Sequence, residues 1–223
     1  MIGIRDINIQ NSEFLDILNE YKDVLMQRDT PDGLPQVARE MPVSHQDQTD
    51  AEKWIGDQYM HEIISMGDKH DGFPKVLKGF TGLKHETDDT RGKVIKDASR
   101  TLNSKMLEFL SARNNALNAC YPPGGFISWH NNANAPGFNI ICTWSETGEG
   151  WFDYWDIDKK ERVRMQDKPG WQAKMTYFGP YWKPDDLCYH AAYTDCYRIT
   201  VAFVFAEADE FWEEVIEDIE TPC

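Results

Sequence analysis

The chain has 223 residues, a formal net charge of −15 and a hydrophobic fraction of 41%, which is enough apolar material for a core. The acidic balance argues against nonspecific nucleic-acid binding, because such binding depends on Lys and Arg neutralising phosphates. No apolar run approaches the roughly 20 residues that span a bilayer, and the N-terminus lacks the charged and apolar parts of a signal peptide. The five cysteines form no Cys-x-x-Cys pair and are expected to be reduced thiols. The sequence therefore predicts a cytoplasmic protein without a membrane partner.

Helical periodicity marks the first half of the chain. Asn11 is expected to cap the first helix, and Thr49 with Glu52 has the spacing of a capping box for the second. The three predicted helices span about residues 11–27, 49–67 and 90–112. The apolar stripe of the first consists of Phe14, Ile17, Leu18, Tyr21 and Leu25. In the second and third helices the positions expected to face the core are Ile55, Tyr59, Ile63, Met66, Val94, Ala98, Leu102, Phe109 and Leu110.

Short segments rich in aromatic and β-branched residues replace the helical period after Arg113. Turn residues such as Pro122–Gly125 and Pro169-Gly170 separate them. The eight predicted strands span about residues 115–121, 126–131, 138–145, 150–157, 161–166, 171–178, 187–192 and 197–206. An amphipathic helix over Asp209–Glu220 is expected to close the chain. Eight short strands at this spacing fit a two-sheet double Greek key.

These elements together predict an α+β fold, mainly β, in which helices support a jelly roll. Residues 1–113 are expected to form a helical N-terminal region, and residues 114–223 a β-barrel-like core with its closing helix. The two parts are expected to form one compact domain. The lack of alternation between strands and helices argues against a nucleotide-binding α/β fold. Loops predicted at residues 29–48 and 67–89 would cover the mouth of the barrel.

Two histidines and one asparagine stand out because of where the predicted strands place them. His130 and Asn132 are two positions apart, so their side chains are expected on the same face. His190 lies in a later predicted strand that can fold back beside the first. Non-haem iron oxygenases hold Fe(II) with two imidazoles and one carboxylate on one face of the metal. The pattern therefore indicates a candidate metal site in which Asn132 takes the place of the carboxylate.

Residues 115–206 resemble the Fe(II)/2-oxoglutarate-dependent oxygenases, and in particular their prolyl 4-hydroxylase-like branch. That branch has a tyrosine nine residues ahead of the first histidine ligand, with a Gly-Gly pair between them. The residues that reproduce this spacing are Tyr121, Gly124-Gly125 and His130. Arg198 and Thr200 match the Arg-x-Ser/Thr pair that follows the second histidine in many members. The match covers a little under half of the chain.

The resemblance implies a double-stranded β-helix with helices packed on it, and an oxidation of the hydroxylase type. The implied ligands of Fe(II) are His130, Asn132 and His190. It also implies 2-oxoglutarate as cosubstrate, with its distal carboxylate on Arg198 and Thr200 and a hydrogen bond from Tyr121. The substrate is left open among a peptide, a small molecule and a nucleotide, and so is the oligomeric state.

Asn132 departs from the family pattern, in which an aspartate is the third ligand. Its amide oxygen could ligate the metal, or Asp153 or Asp156 could replace it. Alternatively, the protein has lost the chemistry and is a catalytically silent jelly-roll binding or structural module. A cupin-like metalloenzyme that does not use 2-oxoglutarate is a further alternative, although no third histidine lies in a predicted strand.

The sequence also indicates what Arg198 needs as a partner and where the remaining histidines are expected. Arg198 lies in an otherwise apolar strand and needs a partner, which either a bound carboxylate or a structural ion pair would supply. Four further histidines stand in polar or helical contexts and are expected at the surface: His45, His61, His70 and His85.

Overall fold

Two antiparallel sheets carry the fold, with helices on their outer faces. The structure, a computed structural model, describes residues 4–28, 31–39, 50–81, 90–205 and 211–223. The helices are α1 (Ser12–Met26), α2 (Ala51–Ile55), α3 (Asp57–Met66), α4 (Thr90–Leu110) and α5 (Phe211–Glu220). The strands are β1 (Arg5–Ile7), β2 (Leu77–Lys78), β3 (Phe80–Thr81), β4 (Asn114–Tyr121), β5 (Gly125–His130), β6 (Gly137–Ser145), β7 (Gly150–Asp156), β8 (Glu161–Gln166), β9 (Gly170–Phe178), β10 (His190–Thr194) and β11 (Arg198–Val204). Within these ranges no helix is both long enough and apolar enough to cross a membrane.

The eight strands predicted from the sequence divide equally between the sheets. The larger sheet has the order β1-β9-β6-β11-β4-β3, and the smaller has the order β2-β5-β10-β7-β8. All neighbouring strands are antiparallel. The prediction of a mainly β fold with packed helices is confirmed.

The alternation of side chains along β11 shows how the larger sheet separates the helices from the interior. Ile199, Val201 and Phe203 are buried against α1, α4 and α5. The alternate residues of β11, among them Arg198 and Thr200, point the other way and line a cavity between the two sheets. Because strand side chains point to opposite faces in turn, one strand contributes both to the core and to the cavity.

Helices α2 and α3 cover the outer face of the smaller sheet. Their buried side chains are Trp54, Ile55, Tyr59, Met60 and Ile63. Trp129 of β5 packs among them and donates its indole N–H to the Ile55 carbonyl oxygen at 2.8 Å. The smaller sheet is thus fixed from outside, which leaves its inner face to the cavity.

The predicted helices are found with four corrections. The first is confirmed, with the Asn11 side chain accepting from the Phe14 amide at 3.0 Å. The second is interrupted at Gly56, where a Cβ would lie 2.4 Å from the Glu52 carbonyl oxygen. It is capped by Asp50, whose carboxylate accepts from the Lys53 amide, and its predicted core residue Met66 is 39% exposed. In α4 the predicted core residue Val94 is 45% exposed, and its neighbour Ile95 is fully buried instead.

Short strands occupy parts of the chain that were expected to be helical or irregular. β1 pairs with β9, and β2 and β3 lie within the loop predicted at residues 67–89. The predicted cap at Thr49, most of the loop at residues 29–48 and the start of the closing helix at Asp209 lie outside the described residues.

Candidate active site

A cavity of about 370 Å³ lies between the two sheets. At one end it is lined by Tyr121, Arg198 and Thr200, and at the other by loop residues that include Phe73 and Asn134. Among the described residues that line it, Arg198 is the only one with a permanent charge. A single cation in an otherwise neutral cavity is suited to binding one anionic group of a ligand.

His130 and His190 face each other across neighbouring strands. His130 ends β5, His190 begins β10, and the two are paired in the sheet. The register shifts between His190 and Ala192, because two steps on β10 oppose the three steps from Ile127 to His130 on β5. This bulge allows both Ile127 and His130 to face the cavity. The two imidazole rings lie 4.1 Å apart between centroids.

The backbone hydrogen bonds of both rings place the ring proton on the same nitrogen. His130 Nδ1 lies 2.8 Å from the Ser128 carbonyl oxygen, and His190 Nδ1 lies 2.9 Å from the Cys188 carbonyl oxygen. A carbonyl oxygen can only accept, so each Nδ1 carries the proton and each Nε2 keeps its lone pair. Metal-binding histidines characteristically donate their second ring nitrogen to a carbonyl or carboxylate in this way.

Burial keeps both imidazoles neutral at physiological pH. Burial and, as a smaller effect, the neighbouring His190 hold the pKa of His130 well below its usual range. Burial lowers the pKa of His190 to about 4, although the bond to the Cys188 carbonyl acts in the opposite direction. The rings of Phe152 and Phe178 stack on His190 and fix its plane. A neutral imidazole of fixed orientation is the form that binds a metal.

Metal-free protein is expected to lose about 3 kcal/mol of unfolding free energy through His190 as the pH falls from 6.5 to 4. The unfolded chain takes up a proton on this histidine near pH 6.5, whereas the folded chain does so only near pH 4. Stability is therefore complete above the unfolded pKa and is lost on acidification. Urea unfolding with a chelator at a series of pH values measures the slope. His190→Asn is expected to flatten it, and an unchanged slope would contradict the assignment.

Asn132 lies beside the histidine pair in a conformation that asparagine accepts readily. Its φ of 55° is in the left-handed region, its amide donates to the Gly72 carbonyl oxygen at 2.9 Å, and its side-chain Nδ2 lies 3.5 Å from His190 Nε2. Rotation of the amide by 180° would exchange Oδ1 with Nδ2. The side chain therefore reaches the position from which an oxygen could join the two Nε2 atoms.

The two aspartates proposed as replacements point elsewhere. Asp153 is fully buried on the outer face of β7, where Arg162 and Arg164 bond its carboxylate. Asp156 accepts from the amides of the turn that follows it. Neither lines the cavity, so both are wrong as substitute ligands. Within the described ranges no cluster of three or more His, Cys, Asp or Glu residues is arranged to hold a metal.

Arg198 has a structural counter-ion that the sequence did not reveal. Its Nε donates to Asp167 Oδ2 at 2.7 Å, and the arginine is 3% exposed. Nη1 donates to Thr200 Oγ1 at 2.7 Å, and Nη2 lies 3.5 Å from Thr143 Oγ1. A guanidinium has five N–H groups, so these three bonds leave two for a ligand. Both partners considered for Arg198, an ion pair and a bound carboxylate, are therefore compatible.

Tyr121 presents a buried hydroxyl without a protein partner. The residue is 1% exposed, and its oxygen has no hydrogen bond among the described residues. The Tyr121 ring lies beside Arg198, whose Cζ is 5.9 Å from the ring centroid. Burial raises the pKa of this phenol, so it remains a donor at neutral pH. An unpartnered donor beside a guanidinium is suited to an oxygen of a bound ligand.

His70 is not at the surface, contrary to expectation. It is 5% exposed, and its Nδ1 accepts from the Gly72 amide at 3.0 Å, so its Nε2 carries the proton. Burial lowers its pKa. His61 is exposed as expected and lies 5.6 Å from the Trp155 ring, while His45 and His85 lie outside the described residues.

Comparisons of the sequence with known proteins returned no matching family profile and no matching curated protein. Comparison of the fold returned a prolyl-4-hydroxylase from Pseudomonas putida, with 12% identity, a TM-score of 0.39 and coverage of 93% of this chain and 94% of the other. A prolyl hydroxylase from Trichoplax adhaerens, in complex with a hypoxia inducible factor peptide fragment, has 10% identity, a TM-score of 0.45 and coverage of 92% and 84%. The dioxygenase for auxin oxidation 1 from Arabidopsis thaliana, in its 2-oxoglutarate complex, has 13% identity, a TM-score of 0.37 and coverage of 93% and 85%. Similarity at this level assigns no function, so a function can be inferred only from the side chains that line the cavity.

Proposed function

We propose that the protein is an Fe(II)- and 2-oxoglutarate-dependent oxygenase built on a double-stranded β-helix. The observation that supports this most strongly is the joint placement of two neutral imidazoles and an anion clamp in one cavity. His130 and His190 carry their protons on Nδ1 and so keep the Nε2 lone pairs on one side, and Arg198 presents N–H groups at one end. The four-plus-four division of the long strands is also the arrangement expected of that fold.

The residues that would hold the metal are His130 and His190 through Nε2, and Asn132 through Oδ1. Two imidazoles suit Fe(II), and an amide oxygen is a neutral and weaker donor than a carboxylate. The donor set thus fits an open metal site with reduced charge compensation. When bound, Fe(II) supplies the redox chemistry by which oxygen oxidises the 2-oxo acid and the substrate.

The far end of the cavity is suited to the distal carboxylate of 2-oxoglutarate. Arg198 offers two N–H groups beyond its protein bonds, and the Thr200 hydroxyl lies 2.7 Å from Nη1. The Tyr121 hydroxyl, which has no partner within the described ranges, is an additional donor. Charge-assisted hydrogen bonds from a guanidinium are the strong kind, so this end can orient a dicarboxylate along the cavity.

Apolar side chains form a large part of the walls between the two ends. Ile127, Ile141, Phe152 and Phe178 line the cavity and belong to the interior clusters between the sheets. Exclusion of water strengthens the electrostatic contacts of a bound anion. Since Arg198 is the only permanent charge in the described lining, the substrate group that enters beside the cosubstrate is expected to be uncharged.

Anaerobic titration with Fe(II) and 2-oxoglutarate tests the proposal. The wild-type protein is expected to develop a weak visible absorption band of the chelated 2-oxo acid and, in air, to form succinate. His190→Ala removes one Nε2 and is expected to lower both signals at least about tenfold. His61→Ala is the matched control, because this exposed histidine lies outside the cavity and should change neither. Absence of both signals from wild-type protein would exclude the oxygenase.

The second candidate is a catalytically silent binding module. It is favoured by Asn132 in place of a carboxylate and by the lack, among the described residues, of a carboxylate that would join the two neutral histidines as third ligand. This candidate predicts that purified protein retains no iron. It also predicts that partner binding is the same in wild-type protein and in a variant with both cavity histidines replaced by alanine.

A further inference from the structure

Asp167 is a buried carboxylate whose contacts join it to the anion end of the cavity. It follows β8 in a turn, its side chain is 0% exposed, and its Oδ2 accepts from Arg198 Nε at 2.7 Å. Its Oδ1 is buried and has no hydrogen-bond partner among the described residues. Isolated buried carboxylates are unfavourable, so this ion pair is the interaction that maintains Asp167 in place.

Asp167 lies behind Arg198 and does not line the cavity. It holds the Nε side of the guanidinium, while Nη1 and Nη2 approach the hydroxyls of Thr200 and Thr143. Arg198 and Thr200 do line the cavity. The guanidinium is therefore anchored at one edge and directs its terminal nitrogens toward a ligand, which reduces the ordering needed when an anion binds.

Gly150 has no side chain at the point where the Asp167 carboxylate approaches β7. A Cβ on Gly150 would lie 2.6 Å from Asp167 Oδ2 and 3.0 Å from Thr194 Oγ1. The Asp167 amide also donates to the Gly150 carbonyl oxygen at 2.8 Å. Glycine weakens a strand, so its presence at the start of β7 indicates close approach of another group. That group is Asp167.

The positive charge of Arg198 is already paired with the negative charge of Asp167 before a ligand binds. Arg198 contributes one positive charge and Asp167 one negative charge. Lys174, 4% exposed, is a second buried basic side chain near this end. Burial lowers the pKa of its amine, and the negative charges of Asp6 and Asp167 oppose that shift. An incoming carboxylate must share the guanidinium with Asp167, whose negative charge repels it.

We propose that Asp167 is a positioning and specificity-determining residue, the resident counter-ion of Arg198, which orients the guanidinium for a dicarboxylate and limits how tightly that anion binds. This proposal rests on one part of the proposed function, namely that the Arg198 end of the cavity binds an anion. Removal of the charge with retention of an acceptor for Nε should leave the orientation intact and remove the repulsion. The affinity for a dicarboxylate should then rise, whereas a merely structural role for Asp167 would lower it.

Calorimetric titration with glutarate, without metal, measures this affinity in wild-type protein and in Asp167→Asn. Glutarate has two carboxylates and no 2-oxo group, so the readout is independent of iron and turnover. The variant is expected to bind glutarate about tenfold more tightly. Its Tm without ligand should fall, because a charged Arg198 loses its counter-ion, and should rise more than that of the wild type when glutarate is added.

Asp153→Asn is the matched control, since Asp153 is equally buried and ion-paired but lies on the outer face of β7. It is expected to lower Tm without changing the glutarate affinity. Should Asp167→Asn not fold, Asp167→Ser also removes the charge and keeps an acceptor. Equal or weaker glutarate binding by the neutral variant would overturn the proposal, as would an equal gain in Asp153→Asn. Failure of iron binding or succinate formation alone would count against the oxygenase and not against Asp167.

Discussion

Replacement of Arg198 by alanine is expected to lower the free energy of unfolding by about 3–5 kcal/mol and to abolish binding of dicarboxylates. The substitution leaves the carboxylate of Asp167 buried, with Oδ2 deprived of its 2.7 Å bond and Oδ1 already without a partner in the part of the chain that the structure describes. It also leaves the hydroxyl of Thr200 without the Nη1 donor. Urea unfolding at pH 7 measures the stability, and glutarate calorimetry measures the binding.

Arg164→Ala is the control for loss of an arginine from a buried ion pair. Arg164 bonds the buried Asp153, but that carboxylate keeps its bonds to Arg162. The expected loss is therefore below about 1 kcal/mol, with glutarate binding unchanged. A small loss in Arg198→Ala, comparable with that in Arg164→Ala, would contradict the account of Arg198 and Asp167.

Removal of both partners separates the ion pair from general packing. Arg198→Met combined with Asp167→Leu replaces the buried charges by apolar side chains. Such replacement is often neutral or stabilising, so the double variant is expected to recover most of the stability lost in Arg198→Ala. Glutarate binding should not recover, because the guanidinium is absent.

The long strands could be predicted from the sequence because each is rich in aromatic and β-branched residues and has its own flanking turn residues. All eight occur within three residues of their predicted bounds. β1, β2 and β3 have only two or three residues, which is too few to show a period. They exist because the edges of longer strands, such as β9 and β5, supply hydrogen-bond partners. This information lies outside the local sequence.

The predicted core positions of a helix were wrong where adjacent apolar residues compete for the same face. Val94 and Ile95 are consecutive, and only tertiary packing selects Ile95 for the core. The break at Gly56 depends on the Glu52 carbonyl oxygen, which leaves no space for a Cβ. Both outcomes follow from packing that a single helical period does not encode.

The site illustrates which long-range relations the sequence reveals. The placement of His130, His190 and Arg198 around one cavity agrees with the spacing in the chain, whereas their roles remain predictions. The structure excludes Asp153, because Phe152 and Tyr154 on either side of it pack between the sheets and Asp153 therefore points to the opposite face. Asp167 could not be found from the sequence, since it lies in a turn with no period and its partner is 31 positions away.

Asn132→Asp is expected to strengthen binding of Fe(II), or of Mn(II) as a stable substitute, by at least about tenfold. Aspartate has the same shape as asparagine and accepts the same φ of 55°. The new carboxylate would lie about where Asn132 Nδ2 now lies, 3.5 Å from His190 Nε2. A negative charge there compensates a divalent metal that two neutral imidazoles and an amide leave uncompensated. Calorimetry or competition with a chromophoric chelator measures the affinity.

Asn134→Asp is the matched control, because Asn134 is an exposed asparagine that lines the cavity and its substitution adds the same charge away from the Asn132–His190 contact. Equal metal affinity in the two variants would show that residue 132 does not face the metal position. Acid unfolding without metal gives a second readout. A carboxylate beside His190 favours its charged form and should raise the pKa of that histidine, so the acid loss of stability should shrink in Asn132→Asp alone. Succinate formation then separates the two functions: a gain over inactive wild-type protein identifies a silent module that one oxygen ligand restores, and activity in both identifies an oxygenase that works with an amide.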